Sequence, residues 1–321
     1  FKQNGRFLVR TDGPDGKLAD FEVKFTFGVT PLQQYLIELP GGRLQAFGIA
    51  WDARPAGDGG QRWYHLYPGQ GLTAGRPLHW TGLDQNWNYQ CASCHSTNLE
   101  KNYDRATRTF STKWSEISVG CEACHGPASK HVAWGAQSAA IKARDSSKGF
   151  DLRFHERRGI TWAPGNTGEV ARSMPRQTSK ELLACAACHA RREQFSGNVS
   201  SSRGFFEAFR ASTLESPIYH VDGQQRDEVF NYGSFLQSRM HVAGVTCSDC
   251  HNPHTGKLRY SGNAVCLQCH TSERFDSPRH HHHAAGSTGA QCTSCHMSTT
   301  VYMGIDARHL RRRVGAHAQR A

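Results

Sequence analysis

The sequence predicts a small antiparallel β portion at the N-terminus, then α-helices and loops that do not build an ordinary apolar core of their own. Three observations predict it. Apolar and polar residues alternate strictly in Phe21-Glu22-Val23-Lys24-Phe25-Thr26-Phe27, the period of a half-buried strand. The hydrophobic fraction is 37% over 321 residues, low for a chain that must fill so large an interior with side chains. All twelve cysteines fall into six C-x-x-C-H motifs, at 91–95, 121–125, 185–189, 247–251, 266–270 and 292–296.

C-x-x-C-H is the attachment signature of c-type haem. Two thiols add to the two porphyrin vinyl groups, and the adjoining His reaches the iron from the same side. C-x-x-C pairs also build zinc ribbons. Zinc does not require His directly after the second Cys, yet all six motifs carry it in a chain with only 19 His. Thioredoxin-like redox pairs fail on the same ground. The expected haem attachments are Cys91, Cys94, Cys121, Cys124, Cys185, Cys188, Cys247, Cys250, Cys266, Cys269, Cys292 and Cys295. The proximal ligands are then His95, His125, His189, His251, His270 and His296. Six haems c supply the missing apolar interior. The predicted architecture is a β-rich portion over 1–85, a six-haem region over 86–303 in which helices and loops wrap a chain of haems, and a basic tail over 304–321.

Taken in order, Asp12-Gly13-Pro14-Asp15-Gly16 is a turn that joins Arg6–Thr11 to the alternating strand as a hairpin. Gln34–Leu39 and Leu44–Trp51 form a second strand pair around Pro40-Gly41-Gly42. Beyond Asn86, successive motifs start 30, 64, 62, 19 and 26 residues apart, so two long intervals accommodate helical insertions. Lys130–Arg144 and Thr178–Arg192 have helical composition, and the second carries the third motif. Asp151–Thr178, rich in Gly, Pro and charge, reads as an extended surface segment. Phe205, Phe206 and Phe209 share a helical face used for packing. The tail carries Arg308, Arg311, Arg312, Arg313 and Arg320 with little apolar pattern, and is expected to be mobile or held by a partner.

Only fourteen residues separate His251 from Cys266. That is too short to build a core around each macrocycle, so these two haems must be close neighbours. A second axial ligand approaches from the opposite face, which His254 cannot reach on its own porphyrin. His254 therefore ligates another haem if it ligates at all, and haem iron takes His readily. His131, six residues past its motif, would likewise serve a neighbour. The other distal candidates are the aromatic-flanked His65 and His79, His220, His241, and the run His280–His283, represented by His282. Each has a competing reading as a core or surface histidine. Met240, Met297 and Met303 are weaker axial candidates, since Met usually packs.

The formal charge of +11 suggests nucleic acid until the cofactors are included. Twelve ionised propionates bring it to about −1 with ferrous iron and about +5 with ferric iron. The arginines then read as propionate partners, because their fork matches a carboxylate, and no nucleic-acid partner is expected. No run of about 18 apolar residues exists, so no transmembrane helix is expected. Covalent haem attachment takes place outside the bacterial cytoplasm, so the compartment is periplasmic or extracellular, with an export signal removed or outside this chain.

The chain resembles the multihaem c-type cytochromes with doubled C-x-x-C-H motifs, and most of all the cytochrome region that precedes tetratricopeptide repeats in many bacterial proteins. The matching segments are 11–17, 27–35, 61–65, 78–82, 91–98, 119–126, 232–238, 244–251, 280–283 and 292–297. Members of that group usually carry a further haem motif upstream and often one downstream. Neither is here, nor are the repeats, which points to a short form or part of a longer protein.

Electron transfer through six bis-histidine haems is the leading expectation, with no catalytic residue and with redox proteins or extracellular acceptors as partners. The protein is expected to be an electron carrier, and an oxidoreductase only if one haem has an open site. One alternative is a subunit of an extracellular conducting filament built from copies of this chain. The other is a reductase or oxidase of small nitrogen or sulfur oxyanions, which needs that vacant iron position.

Overall fold

The computed structural model describes residues 1–164, 170–195, 204–226 and 230–297. The expected N-terminal strand and its pairing form, but a register shift between Val23 and Phe25 breaks the alternation of faces and leaves Phe25 exposed. Strands β1 (Lys2–Gln3), β2 (Arg6–Asp12), β3 (Leu18–Phe27), β4 (Leu32–Leu39), β5 (Arg43–Ala46), β6 (Ile49–Asp52) and β7 (Arg62–His65) form one antiparallel sheet. Its order is β1-β2-β3-β4-β6-β7, with β5 also paired to β4. The predicted hairpin is β2–β3, in the register Val9↔Phe21 and Asp12↔Leu18. The strand expected over Leu44–Trp51 is broken at Phe47–Gly48 into β5 and β6, both of which pair with β4. Strand β7 was hidden from the pattern because Trp63 and Arg62 are both exposed, so no alternation marks it.

Strand β4 is buried on both faces. Leu36 joins Phe27, Leu44, Ala46, Trp87, Ala92 and Leu99 in one cluster. Ile37 and Leu39, on the opposite face, pack with Phe47 and Trp80. The first cluster also takes Cys91, so the sheet is the platform for the first haem motif. Gly42 makes the turn into β5 at φ +69°, and a Cβ there would collide with the Phe110 carbonyl.

Two compact units divide the chain differently from the sequence boundaries at 85/86 and 303/304. Phe1–Leu152 and Glu193–Arg210 belong to one unit, so the β sheet and the first two haem motifs fold together. Arg153–Arg192 and the described residues from Ala211 onward form the other, with the remaining four motifs. In the first unit, helices α1 (Trp87–Gln90), α2 (Ala92–His95) and α3 (Glu122–His125) are single turns, with the small hairpin β8 (Tyr103–Asp104) and β9 (Thr109–Phe110) between α2 and α3. The predicted helix over Lys130–Arg144 is two helices, α4 (Ser129–Gly135) and α5 (Ala139–Arg144).

The segment expected to be merely extended contains a hairpin, β10 (Trp162–Pro164) and β11 (Val170–Arg172). The expected helix of the third motif is α6 (Lys180–His189). Helix α7 covers only Phe205–Ala208; Phe205 and Phe209 are buried but Phe206 is exposed, so the three do not share one packed face. Short helices α8 (Tyr232–Leu236), α9 (Arg239–Val242), α10 (Cys247–Cys250), α11 (Ser272–Phe275), α12 (Pro278–His281) and α13 (Cys292–His296) follow. The tail and Met303 lie outside the described residues. No helix among the described residues is long and apolar enough to cross a membrane.

Candidate haem-attachment sites

The first motif is held to the sheet by buried amides. Asn86 caps α1, its side-chain oxygen accepting from the Tyr89 N–H at 3.0 Å. Asn88 accepts from the Leu44 N–H at 2.7 Å and donates to the Gly42 carbonyl and the Thr112 hydroxyl. Gln45 donates to the Trp80 and Gly82 carbonyls and accepts from Asn86. These groups fix α1 and α2, and with them Cys91 and Cys94. The His95 ring is exposed and meets Phe27 edge-on at 5.6 Å.

The residues after the first motif fasten the second. The Thr97 hydroxyl donates to the Ser118 carbonyl and accepts from the Gly120 N–H. Glu122, inside C-E-A-C-H, accepts from Asn98 at 2.6 Å and from the Ala128 N–H at 2.7 Å. His125 turns Nδ1 to the Leu152 carbonyl at 3.2 Å, and His131 turns Nδ1 to the Lys148 carbonyl at 2.7 Å. A carbonyl only accepts, so each Nδ1 carries the proton and each Nε2 keeps its lone pair, as an iron ligand requires. The Phe150 ring stacks on His131 at 4.0 Å and lies 5.1 Å from His125.

In the second unit a chain of carboxylates fastens the third motif to the fourth. Buried Glu181, in the first turn of α6, accepts from the Thr246 hydroxyl at 2.9 Å and from the Ser248 N–H and hydroxyl at 2.6 and 2.9 Å. The Glu181 N–H donates to Glu156 at 3.0 Å, and the Thr178 hydroxyl donates to the same oxygen at 2.6 Å. Burial pushes the Glu156 carboxyl up, but these hydrogen bonds outweigh it and hold the group below its ordinary range. Helix α10 opens on a capping box of Thr246 and Asp249, and Asp249 pairs with Arg157 at 3.2 Å.

The consequence is seen at the sulfurs. The Cys185 and Cys247 thiols lie within hydrogen-bonding reach, a contact that draws the Cys247 thiol below its usual value. Burial first, then neighbouring Cys292 and Cys250, push the Cys266 thiol up to about 11. Cys269 is pushed up to about 11 by burial, by Asp249 and by Cys250. Hydrogen bonds place the four motifs of this unit next to one another in chain order: Glu181 with Thr246 and Ser248, Gln268 with the Asp249 carbonyl, and Asn263 with the Cys292 N–H. Near the last two, His280 and His296 lie 5.8 Å apart with ring planes 4° from parallel. Phe275 contacts both His270, at 5.2 Å, and His280, at 5.3 Å. Burial, then His296 and His280, hold His270 below the usual imidazole range.

The distal candidates separate by what their ring nitrogens touch. His241, like His131, turns Nδ1 to a carbonyl, that of Leu236, and its Nε2 accepts from Arg176 at 2.9 Å. His79 is buried with Nε2 on Asp12 at 3.0 Å and Nδ1 on the Thr81 hydroxyl at 2.8 Å, so both nitrogens are engaged. His65 accepts at Nδ1 from the Tyr67 N–H, which puts its proton on Nε2. His220 is exposed in the turn to Gln224, and His254 is exposed in the turn between 251–252 and 257–258. His282 occupies the left-handed C-cap of α12 at φ +58°. Met240 and Met297 are exposed. Sequence reasoning did not single out His280 within its run, nor Glu181, Glu156 and Arg176. The one signal for Glu181 was its place a turn before Cys185 on the same helix.

The residues fit haem. In the second unit the buried apolar residues among those described are Leu182, Ala186, Ala190, Tyr219, Val245 and Ala290. Three alanines and three larger side chains are far too little to hold such a unit together, while the paired cysteines and exposed motif histidines match an apolar macrocycle attached through them.

Residues 240–275 match the family model for the doubled CXXCH motif, and residues 78–126 match that for cytochrome c554 and c-prime. With its six motifs, the chain is a multihaem c-type cytochrome. It is 22% identical over 188 residues to the multiheme cytochrome MtrA of Shewanella baltica (strain OS185). That match covers 51% of this chain and 46% of the relative, so the chain spans about half the length of the curated relative it matches. No solved structure matches it.

Proposed function

We propose that this chain transfers electrons through six covalently bound haems c, mostly with two His ligands each and low spin. The observation that carries this reading is the series of hydrogen bonds joining successive motifs, Glu181 with Thr246 and Ser248, Gln268 with the Asp249 carbonyl, and Asn263 with the Cys292 N–H. Macrocycles attached at neighbouring sulfurs are close enough to exchange electrons in sequence. The haem supplies a one-electron ferric–ferrous couple, and ligand choice, burial and hydrogen bonding set its potential.

The protein's own residues position that couple. His95, His125, His189, His251, His270 and His296 are the proximal ligands. Among distal candidates, His131, His241 and His280 are favoured: the first two turn Nδ1 to a carbonyl, which makes Nε2 the acceptor (in His241 it accepts from Arg176), and His280 faces a proximal ring. His254 remains the ligand of a haem other than the one at 247–251. His79 acts in the fold, because both its ring nitrogens are engaged, while His65 stays a candidate with Nδ1 accepting from the Tyr67 N–H. His220 and His282 complete the candidates.

The protein acts outside the cytoplasm, with redox proteins or extracellular acceptors as partners. It is an electron carrier, and an oxidoreductase only if one haem has an open site. The test has two parts. Denatured protein should keep a mass excess of six haems, and reduced protein should pass electrons rapidly to soluble acceptors with negligible turnover of nitrite or hydroxylamine. A stoichiometric high-spin haem with matching turnover would favour the reductase instead. Iron that turns high-spin on dilution would favour the filament.

A further inference from the structure

The second unit contains a cavity of about 430 Å³ lined by Arg172, Pro175, Arg176, Val242, Ala243 and Gly244. Two guanidinium groups border it, and neither has a carboxylate partner among the described residues. Arg172 donates to the Met174 and Glu156 carbonyls, and its buried Nε has no partner. Arg176 donates to the Val245 carbonyl at 3.2 Å and to His241 Nε2 at 2.9 Å.

A half-buried guanidinium that meets only neutral acceptors keeps its charge uncompensated, which is costly away from water. The backbone is shaped to keep it there. Gly244 is buried at φ +95°, and a Cβ on it would stand 2.9 Å from Arg172 Cδ, so the absence of a side chain lets the arginine stem lie over the loop entering the fourth motif. Gly244 and Val245 stand just before Thr246-Cys247, and His241 stands on the preceding helix. The positive charge is thus built beside a haem attachment point and beside a candidate distal ligand.

We infer that Arg172 and Arg176 form the carboxylate cradle for a propionate of the haem that His241 ligates. This rests on the haem-bearing reading above. The planar forks suit a carboxylate bidentately, and the propionate's negative charge supplies the missing counter-charge. In the loaded protein Arg176 exchanges its contact with His241 Nε2 for the propionate, which leaves that lone pair to the iron.

The test is made on haem-loaded R172Q and R176Q, with R176K retaining charge without the fork. Removing one positive charge leaves the propionate uncompensated and favours ferric iron. One midpoint should therefore fall, by a roughly ten-fold change in its reduction equilibrium or ~59 mV, while the others stay in place. The reduced-minus-oxidised infrared band of one carboxylate should shift with it, and R176K should recover most of the midpoint. Unchanged midpoints, or a common shift of all of them, would overturn the assignment. So would stoichiometric binding of nitrite or sulfate to the wild type that R172Q abolishes, because the cavity would then hold a free anion. If the Gln variants do not mature, the same infrared difference recorded on R176K decides: an unshifted carboxylate band refutes the cradle. Failure of the electron-transfer reading would appear separately, as missing haem or slow reduction in the wild type.

Discussion

At the scale of single residues, hydrogen bonding sorts histidines that the sequence cannot. A ring turned by a carbonyl has its proton on Nδ1 and a lone pair on Nε2; a ring held like His79 has neither nitrogen to offer. Replacing His280 with Ala should convert about one haem in six to high spin in electron paramagnetic resonance, whereas H282A should convert none. If H282A and H280A behave alike, the pairing of His280 with His296 is wrong. H79A should cost about 1–3 kcal/mol of stability through the orphaned Asp12 and Thr81 contacts and leave the haem spectrum intact.

Asp52 gives the pH test. It is fully buried and makes a two-pronged pair with Arg54 at 2.9 and 2.7 Å, which holds its carboxyl below the ordinary range. A depressed folded value means that the pair stabilises above the unfolded pKa of about 3.9 and loses its effect as pH falls through the folded value. D52N leaves Arg54 buried without a counter-charge, so it should cost about 3–5 kcal/mol at neutral pH, and the two proteins should converge in acid. Urea denaturation followed by circular dichroism at both pH values checks this. Equal loss at all pH values would show that the pair's charge is irrelevant.

At the scale of elements, the strand over Phe21–Phe27 was legible because its alternation is local, but its faces were not: a register shift between Val23 and Phe25 leaves Phe25 exposed and sends Phe21 and Phe27 to different clusters. Strand β7 and the break at Phe47–Gly48 were not, because pairing with a distant strand decides them. The attachment cysteines were legible because chemistry fixes their spacing. The clamp that aligns the third motif with the fourth was not. Glu156 and Glu181 look like solvated charges until a fold 65 residues away supplies Thr246 and Ser248. E181A removes the acceptor for the Thr246 hydroxyl and for the Ser248 N–H and hydroxyl. It should cost about 1–3 kcal/mol and loosen this junction, seen as faster amide exchange at Ser248 and weaker magnetic coupling between the third and fourth haems. Unaltered exchange at Ser248 would remove Glu181 from the clamp.

At the scale of the whole molecule, cofactor identity and haem chemistry could be read from the motifs, but the division into units could not. The sequence suggested a β portion over 1–85 beside the first haem, but not what would hold the two together. Buried amides on Gln45, Asn86 and Asn88 join the sheet to the first motif. Replacing Asn88 with Ala should therefore lower the stability of sheet and first haem together, by about 1–3 kcal/mol. Separate losses, with the sheet's denaturation unchanged, would show that the two are not coupled.

The adjacency of Cys185 and Cys247 also carries a kinetic consequence. The junctions within 247–296 close loops of 19 and 26 residues between motif starts, whereas this one closes 62. Longer closure costs more chain entropy and comes later along the folding path. The segment from Cys247 to His296 should consolidate first, and α6 should dock onto it last. Pulse-labelled amide exchange during refolding of the haem-bearing chain should then find Thr246–Cys250 protected in two stages, with the slower one simultaneous with protection of Leu183–Ala186.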